Sequence, residues 1–159
     1  MKHLILDFFT NKPLSYKASD ATLLLFRLFA GLMMLPYGIT KIEKYDDYVI
    51  DFFGDPIGIG MVPSLWLTIF AQIPCAIFLT LGLFSRPTAL VLAINMLVAV
   101  KYHWNDPFAT VSLPLLFFGM YVILTLTGGG RYSIDSVLFR KKHQMRIDRD
   151  WYYKNSRLK

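Results

Sequence analysis

Four long runs of apolar residues, separated by short clusters of Ser, Asp, Pro and Gly, constrain this chain more than any other feature. They cover about residues 21–39, 64–84, 87–102 and 111–127. A helix that crosses a bilayer needs about 20 largely apolar residues, and in lipid a helix satisfies all its backbone polar groups within itself. The runs therefore predict an all-α fold, a transmembrane four-helix bundle. Their ends carry suitable boundary residues. Ser19-Asp20 can cap the first helix with side-chain oxygens, Pro63-Ser64 opens the second, and Pro87 follows the turn at Ser85-Arg86. Gly128-Gly129-Gly130 stops the fourth. Pro36 and Pro74 lie inside spans and each frees a carbonyl one turn back, so kinks are expected there. In a chain of 159 residues, 55% of them hydrophobic, four spans leave no room for a separate soluble enzyme domain.

Charge distribution sets the expected orientation. The chain has 17 Lys+Arg against 11 Asp+Glu, a formal charge of +6. Lys2, Lys12, Lys17, Arg86 and the basic C-terminal tail fall on one side. On the other, Lys41, Lys44 and Lys101 are offset by Glu43, Asp46, Asp47, Asp51, Asp55 and Asp106. The positive-inside rule puts both termini in the cytoplasm. The organisation is then an N-terminal arm (1–20), a membrane domain (21–135) with an outer loop (40–63), and a basic tail (136–159). Tyr16 on the inner side and Tyr45, Tyr48, Trp66, Tyr102 and Trp104 on the outer fit interfacial aromatic belts. Residues 140–159 carry Trp151, Tyr152 and Tyr153 among their basic groups. Such a tail gains about 1 kcal/mol per Lys or Arg from an anionic leaflet, or docks a cytoplasmic partner. No folded basic domain supports nucleic-acid binding. The single cysteine, Cys75, excludes an internal disulfide and thiol–disulfide exchange within one chain. The start of the chain, with turn-like Asn11-Lys12-Pro13, does not have the pattern of a cleaved signal peptide.

Polar residues inside the apolar runs are the candidate site. Arg27 falls about 10 Å into the first helix, where an unpartnered charge costs a few kcal/mol. Arg27, Gly31, Met34, Gly38 and Lys41 recur at helical spacing and form one small, polar stripe that should face other helices. Asn95 is about 12 Å into helix three, Tyr121 about 10 Å above the glycines of helix four, and Gln72 about 18 Å from the inner end of helix two. Arg27, Asn95 and Tyr121 are thus expected at matching depth, with Gln72 nearer the midplane. Two readings follow. In one, Arg27 is neutralised by carbonyl, amide and phenol dipoles and pins the bundle. In the other, the set lines a pocket for a ligand with carbonyl or anionic oxygens, such as a quinone head or a lipid phosphate. No carboxylate lies in the middle of a span, which argues against an Asp or Glu proton relay.

A second cluster, Tyr37, Lys41, His103, Trp104 and Asp106, gathers near the outer helix ends. The loop Asp51–Met61, rich in Phe and Gly, suggests a lid or partial re-entrant segment. No two His face each other across the spans, Gly58-Ile59-Gly60 is no dinucleotide fingerprint, and Gly128–Arg131 lacks the Lys-Ser/Thr of a phosphate loop. No haem, flavin or metal motif is visible, and no self-sufficient catalytic centre.

Three blocks resemble the DoxX family of small membrane proteins: Arg27-Leu-Phe-Ala-Gly31 through Tyr37-Gly38-Ile-Thr-Lys41, then Leu81-Gly82-Leu83-Phe84-Ser85-Arg86, then Gly128-Gly-Gly-Arg-Tyr-Ser-Ile-Asp135. Some related sequences carry a carboxylate in helix two or at the start of helix four. Here Gln72 and the Ser112–Pro114 region stand near those places. The resemblance implies a bacterial-type inner-membrane protein, an accessory subunit of a quinone-linked redox or oxidant-defence complex with other membrane or peripheral subunits as partners. Arg86, Arg131 and Asp135, at the matching positions, are expected to form a structural clamp on the cytoplasmic side. The expected function is binding of a quinone-like or lipid ligand by Arg27, Gln72, Asn95, Tyr121, Tyr37, Lys41 and His103. The alternative is a scaffold or assembly factor that docks partners through the basic tail and outer loop and holds no ligand.

Overall fold

The structure, a computed structural model, describes residues 16–52 and 55–138. The arm up to residue 15, Phe53-Gly54 of the loop before the second long helix, and the basic tail from residue 139 onward lie outside the described residues.

Every regular element among the described residues is helical. Helix α1 spans Tyr16–Glu43, 28 residues, and outruns its apolar stretch at both ends because backbone pairing continues through the polar residues there. A single turn at Tyr45–Asp47 and a π-helical turn at Tyr48–Phe52 lead into the loop. Helix α2 runs over Met61–Leu81, α3 over Ser85–Tyr102 and α4 over Phe108–Thr127. Residues 134–138 are again helical. Three helices, α1 over Ala18–Glu43, α2 and α4, are long and apolar enough to cross a membrane. The sequence reading expects four. Helix α3 falls short of that standard by composition, since it carries Arg86 and Lys101 near its ends and Asn95 between them.

The helices pack α1 against α2 and α3 against α4, with α2 also touching α3. Small residues let them approach closely: Ala30, Ala76, Ala89 and Ala93 share the core with Met34, Leu79, Leu92, Met96, Phe117, Met120 and Leu124. The stripe predicted on α1 faces inward, with Arg27, Gly31, Met34 and Gly38 all buried. At Gly31 a Cβ would collide with Thr80, and at Gly38 with Ile73, so glycine sets the α1–α2 distance at two levels. Leu25, Phe29, Leu32, Phe70, Ile94, Leu116 and Leu126 point outward and form the apolar exterior that lipid requires.

Proline shapes α2. Pro74 has no N–H for the carbonyl four residues back, and the helix widens into a π turn over Ala71–Cys75 around it. This extra residue per turn carries Gln72, which is buried. Helix α2 then ends at Gly82 (φ +75°), where Gly82 N–H donates to the Leu79 carbonyl (3.0 Å) and Leu83 N–H to the Phe78 carbonyl (2.8 Å). These bonds close the helix in a left-handed cap. A Cβ on Gly82 would strike the Arg27 guanidinium as well as strain the backbone. Gly82→Ala is expected to lower the thermal unfolding midpoint in detergent, with left-handed strain alone costing about 1–2 kcal/mol. An unchanged midpoint would show that this turn is not under the constraint described.

Candidate functional site

The polar residues separate into two groups at opposite ends of the bundle. The first sits where the start of α1, the α2–α3 turn and the loop after α4 meet. A helical side chain leans towards the N-terminus of its helix, so the long Arg27 side chain is carried that way, into the space left by Gly82. There its Nη1 donates to the Gly129 carbonyl (2.8 Å) and its Nη2 to the Tyr132 carbonyl (3.4 Å). Only 2% of Arg27 is exposed. Asp135 attracts its charge through space.

Asp135 has a second role. Its carboxylate accepts from Phe84 N–H (2.8 Å), Ser85 N–H (2.7 Å) and Ser85 Oγ (2.9 Å), so it caps α3 from beyond α4. Phe84 holds a left-handed conformation (φ 51°) under that cap. Arg131 meets Asp20 instead, by its backbone N–H (3.2 Å) and by Nε (3.9 Å). Arg86 lies over Gly128 and reaches the Leu126 carbonyl at 3.5 Å. Arg86, Arg131 and Asp135 therefore stand at one end but bind different partners: the expected clamp is three separate struts. A hollow of about 450 Å³ beside them is lined by Ser85, Ser133, Ser136 and Asp135, all already hydrogen-bonded.

The second group surrounds a cavity of about 310 Å³ at the opposite end, where α1 finishes and α3 closes. Lys41, Gln72, Asn95 and His103 all line it, together with Tyr48, Pro56, Thr68, Val98, Ala99 and Tyr102. Gln72 Nε2 donates to Asn95 Oδ1 at a long 3.4 Å, and Gln72 Oε1 is buried without a partner. Lys41 Nζ lies 5.9 Å from the Tyr48 ring centroid and donates to the Tyr37 carbonyl at 3.4 Å. His103 Nδ1 is 2.6 Å from Asp106 Oδ2, which orients the ring. One wall is the loop before α2. Its Asp55 carboxylate accepts from Gly58 (2.8 Å), Ile59 (3.1 Å) and Gly60 (2.7 Å) N–H groups and from Ser64 Oγ (3.0 Å). The Gly60 N–H above all holds this carboxyl below the usual carboxylate range.

Three residues expected at the ligand do not line this cavity. Arg27 is turned into the Gly-rich loop. Tyr121 donates its hydroxyl to the Ala30 carbonyl (3.0 Å) and stacks on Phe117, joining α4 to α1 in the core. Tyr37 packs edge-on against Phe117 at 6.1 Å, with 41% of its surface exposed. Equal depth along the helices does not bring side chains together when they point to different sides. Tyr48, Thr68 and Tyr102 were not foreseen as lining residues. The two tyrosines read as belt aromatics, and the turn that folds Tyr48 back over Lys41 has no signature in the sequence. Asp55 entered the sequence reading only as one of the offsetting acids; its place just before Gly58 and Gly60 is the turn signal that could have found it.

The first two blocks, with Arg27, Gly38, Lys41 and Arg86, fall within one family match, as do Gln72 and Asn95; the third block, Gly128–Asp135, lies beyond it. The DoxX family model covers residues 22–104, more than half of the chain. This chain belongs to the DoxX family. Comparison with curated proteins and comparison with solved structures each gave no match. Together with its three long apolar helices, the family makes this DoxX-family chain an integral membrane protein.

Two outcomes are expected from this geometry. Arg27→Leu strands the Gly129 and Tyr132 carbonyls and Asp135→Ala uncaps α3, each destabilising by about 2 kcal/mol. Combined, they should cost less than the two separately because they share one assembly; strict additivity of unfolding free energies in detergent would disprove the linkage. A depressed carboxyl contributes its bonding above the ordinary carboxylate range and loses it as pH falls through the folded-state value. Hydrogen-exchange protection of Gly58, Ile59 and Gly60 should therefore hold at neutral pH, fall only in acid below that range, and vanish at every pH in Asp55→Ala.

Proposed function

We propose that this DoxX-family protein is an accessory subunit of a bacterial-type inner membrane, with four spans and both termini cytoplasmic. In this reading its outer-end cavity holds a quinone-like or lipid ligand, and partner proteins supply redox chemistry. Lys41, Gln72, Asn95 and His103 are the ligand contacts. Arg27, Tyr121 and Asp135 hold the scaffold that positions them. The observation that carries the proposal is the pair of carboxamides on the cavity floor. Gln72 and Asn95 meet through one long bond (3.4 Å) and leave a buried oxygen unfilled, whereas buried polar groups ordinarily find partners. A bound head group with polar atoms completes that arrangement. Further support comes from the mouth, where Lys41 offers a donor to a ligand oxygen and His103, its Nδ1 turned to Asp106, presents Nε2 to the same ligand. The cavity also has apolar walls in Pro56, Val98 and Ala99, as a small-molecule site generally does.

The test is the content of the protein purified from its membrane in mild detergent. Mass spectrometry of the extract should find a quinone or a lipid species enriched over bulk membrane. Asn95→Leu and Lys41→Leu should lower that content while Arg131→Gln, at the far end, leaves it unchanged. No enriched species in the wild type, with loss of complex formation on deleting residues 140–159, would favour the scaffold role instead.

A further inference from the structure

We infer that this cavity selects a head group bearing a hydroxyl over one whose oxygens are all carbonyls, an inference that rests on the ligand site just proposed. The floor decides it. Gln72, only 4% exposed, uses Nε2 on Asn95 Oδ1, which leaves an acceptor unfilled on Gln72 and donor N–H groups on Asn95. Whichever way the Gln72 amide is turned, the single bond to Asn95 uses one carboxamide oxygen and leaves the other of the pair over. Its stem cannot move far, because Gly38 of α1 packs directly on the Gln72 Cβ. A hydroxyl both accepts from Asn95 and donates to Gln72 Oε1. A carbonyl only accepts, and would seal the Gln72 oxygen in the protein with nothing to bind. Sites that bury an unpaired polar atom reject the ligand that leaves it so more strongly than sites that merely lose contact area.

At the mouth the preference differs. Lys41 Nζ has only donors, and its bond to the Tyr37 carbonyl is long at 3.4 Å, so it favours an oxygen acceptor or an anion. The cavity thus reads one acceptor near its mouth and one hydroxyl at its floor. Two sources of that chemistry exist in a membrane: a dihydroxy aromatic ring, whose para oxygens face opposite ways, and a lipid whose anionic head ends in glycerol hydroxyls.

Wild-type protein in phosphatidylcholine nanodiscs should be titrated with tetramethylhydroquinone, kept reduced under argon, and with tetramethylbenzoquinone. Parallel nanodiscs of mixed phosphatidylglycerol and phosphatidylcholine, read by native mass spectrometry, test the lipid source. The hydroquinone should bind at least about tenfold more tightly than the benzoquinone, or phosphatidylglycerol should be retained over phosphatidylcholine by a similar factor. In Gln72→Met, which keeps the side-chain shape without the acceptor, the preference should shrink severalfold while binding persists. Equal binding of the oxidised and reduced rings without lipid preference overturns this inference and leaves the ligand site standing. Failure of every probe and lipid to bind overturns the ligand site itself. Where Gln72→Met does not fold, the wild-type comparison decides alone.

Discussion

The guanidinium of Arg27 is the constraint around which one whole end of this molecule is built. A cation that far along an apolar helix has to be enclosed by dipoles, and the ones used are backbone carbonyls of the loop after α4, 102 and 105 residues away in sequence. Enclosure requires room, and Gly82 supplies it by having no Cβ. It also requires that the loop be held, which Asp135 does by capping α3 with three hydrogen bonds. Helix α1, the α2–α3 turn and the chain after α4 are in this way joined by polar bonds, in a setting where burial of apolar surface between helices gives little net drive.

The other end is organised on a different principle. There a carboxamide oxygen is unfilled, an amide pair is stretched, and a lysine is held by one long hydrogen bond and the face of Tyr48. At the cap Arg27 keeps one buried atom, Nε, without a partner, but its guanidinium is anchored on two carbonyls. At the other end the unpartnered Gln72 Oε1 belongs to a residue that lines an open cavity. Proline contributes to both the widening of α2 and the inward placement of Gln72, since the π turn forms around Pro74. A departure from ideal helix geometry and an unfilled hydrogen bond thus occur at the same residue, the usual association of π turns with function.

Much of this was readable from residue types. The apolar runs located the long helices because lipid solvent leaves the backbone few other choices, and spacing alone put Arg27, Gly31, Met34 and Gly38 on the buried stripe of α1. The resemblance to the DoxX family is shown by a match that includes its first two blocks, Arg27–Lys41 and Leu81–Arg86. Azimuth was harder. Depth counted along each helix grouped Arg27 with Asn95 and Tyr121, but a long side chain that leans towards its helix N-terminus reaches a different layer, and Tyr121 points to the Ala30 carbonyl. Arg86, Arg131 and Asp135, expected to form one clamp, lie at one end of the bundle but take separate partners, Leu126, Asp20 and the Phe84–Ser85 backbone, a choice that residue type alone does not encode. Lining residues supplied by the turn after α1 depended on tertiary folding and left no local pattern.

The sequence distance between Arg27 and its carbonyls has a consequence for biogenesis. As the chain leaves the ribosome, α1 enters the bilayer long before the segment that neutralises its cation has been synthesised. Until residues 129–135 arrive, that charge must remain at the lipid–water boundary, or beside the translocation machinery, so the first helix can settle to its final depth only after the last one is in place.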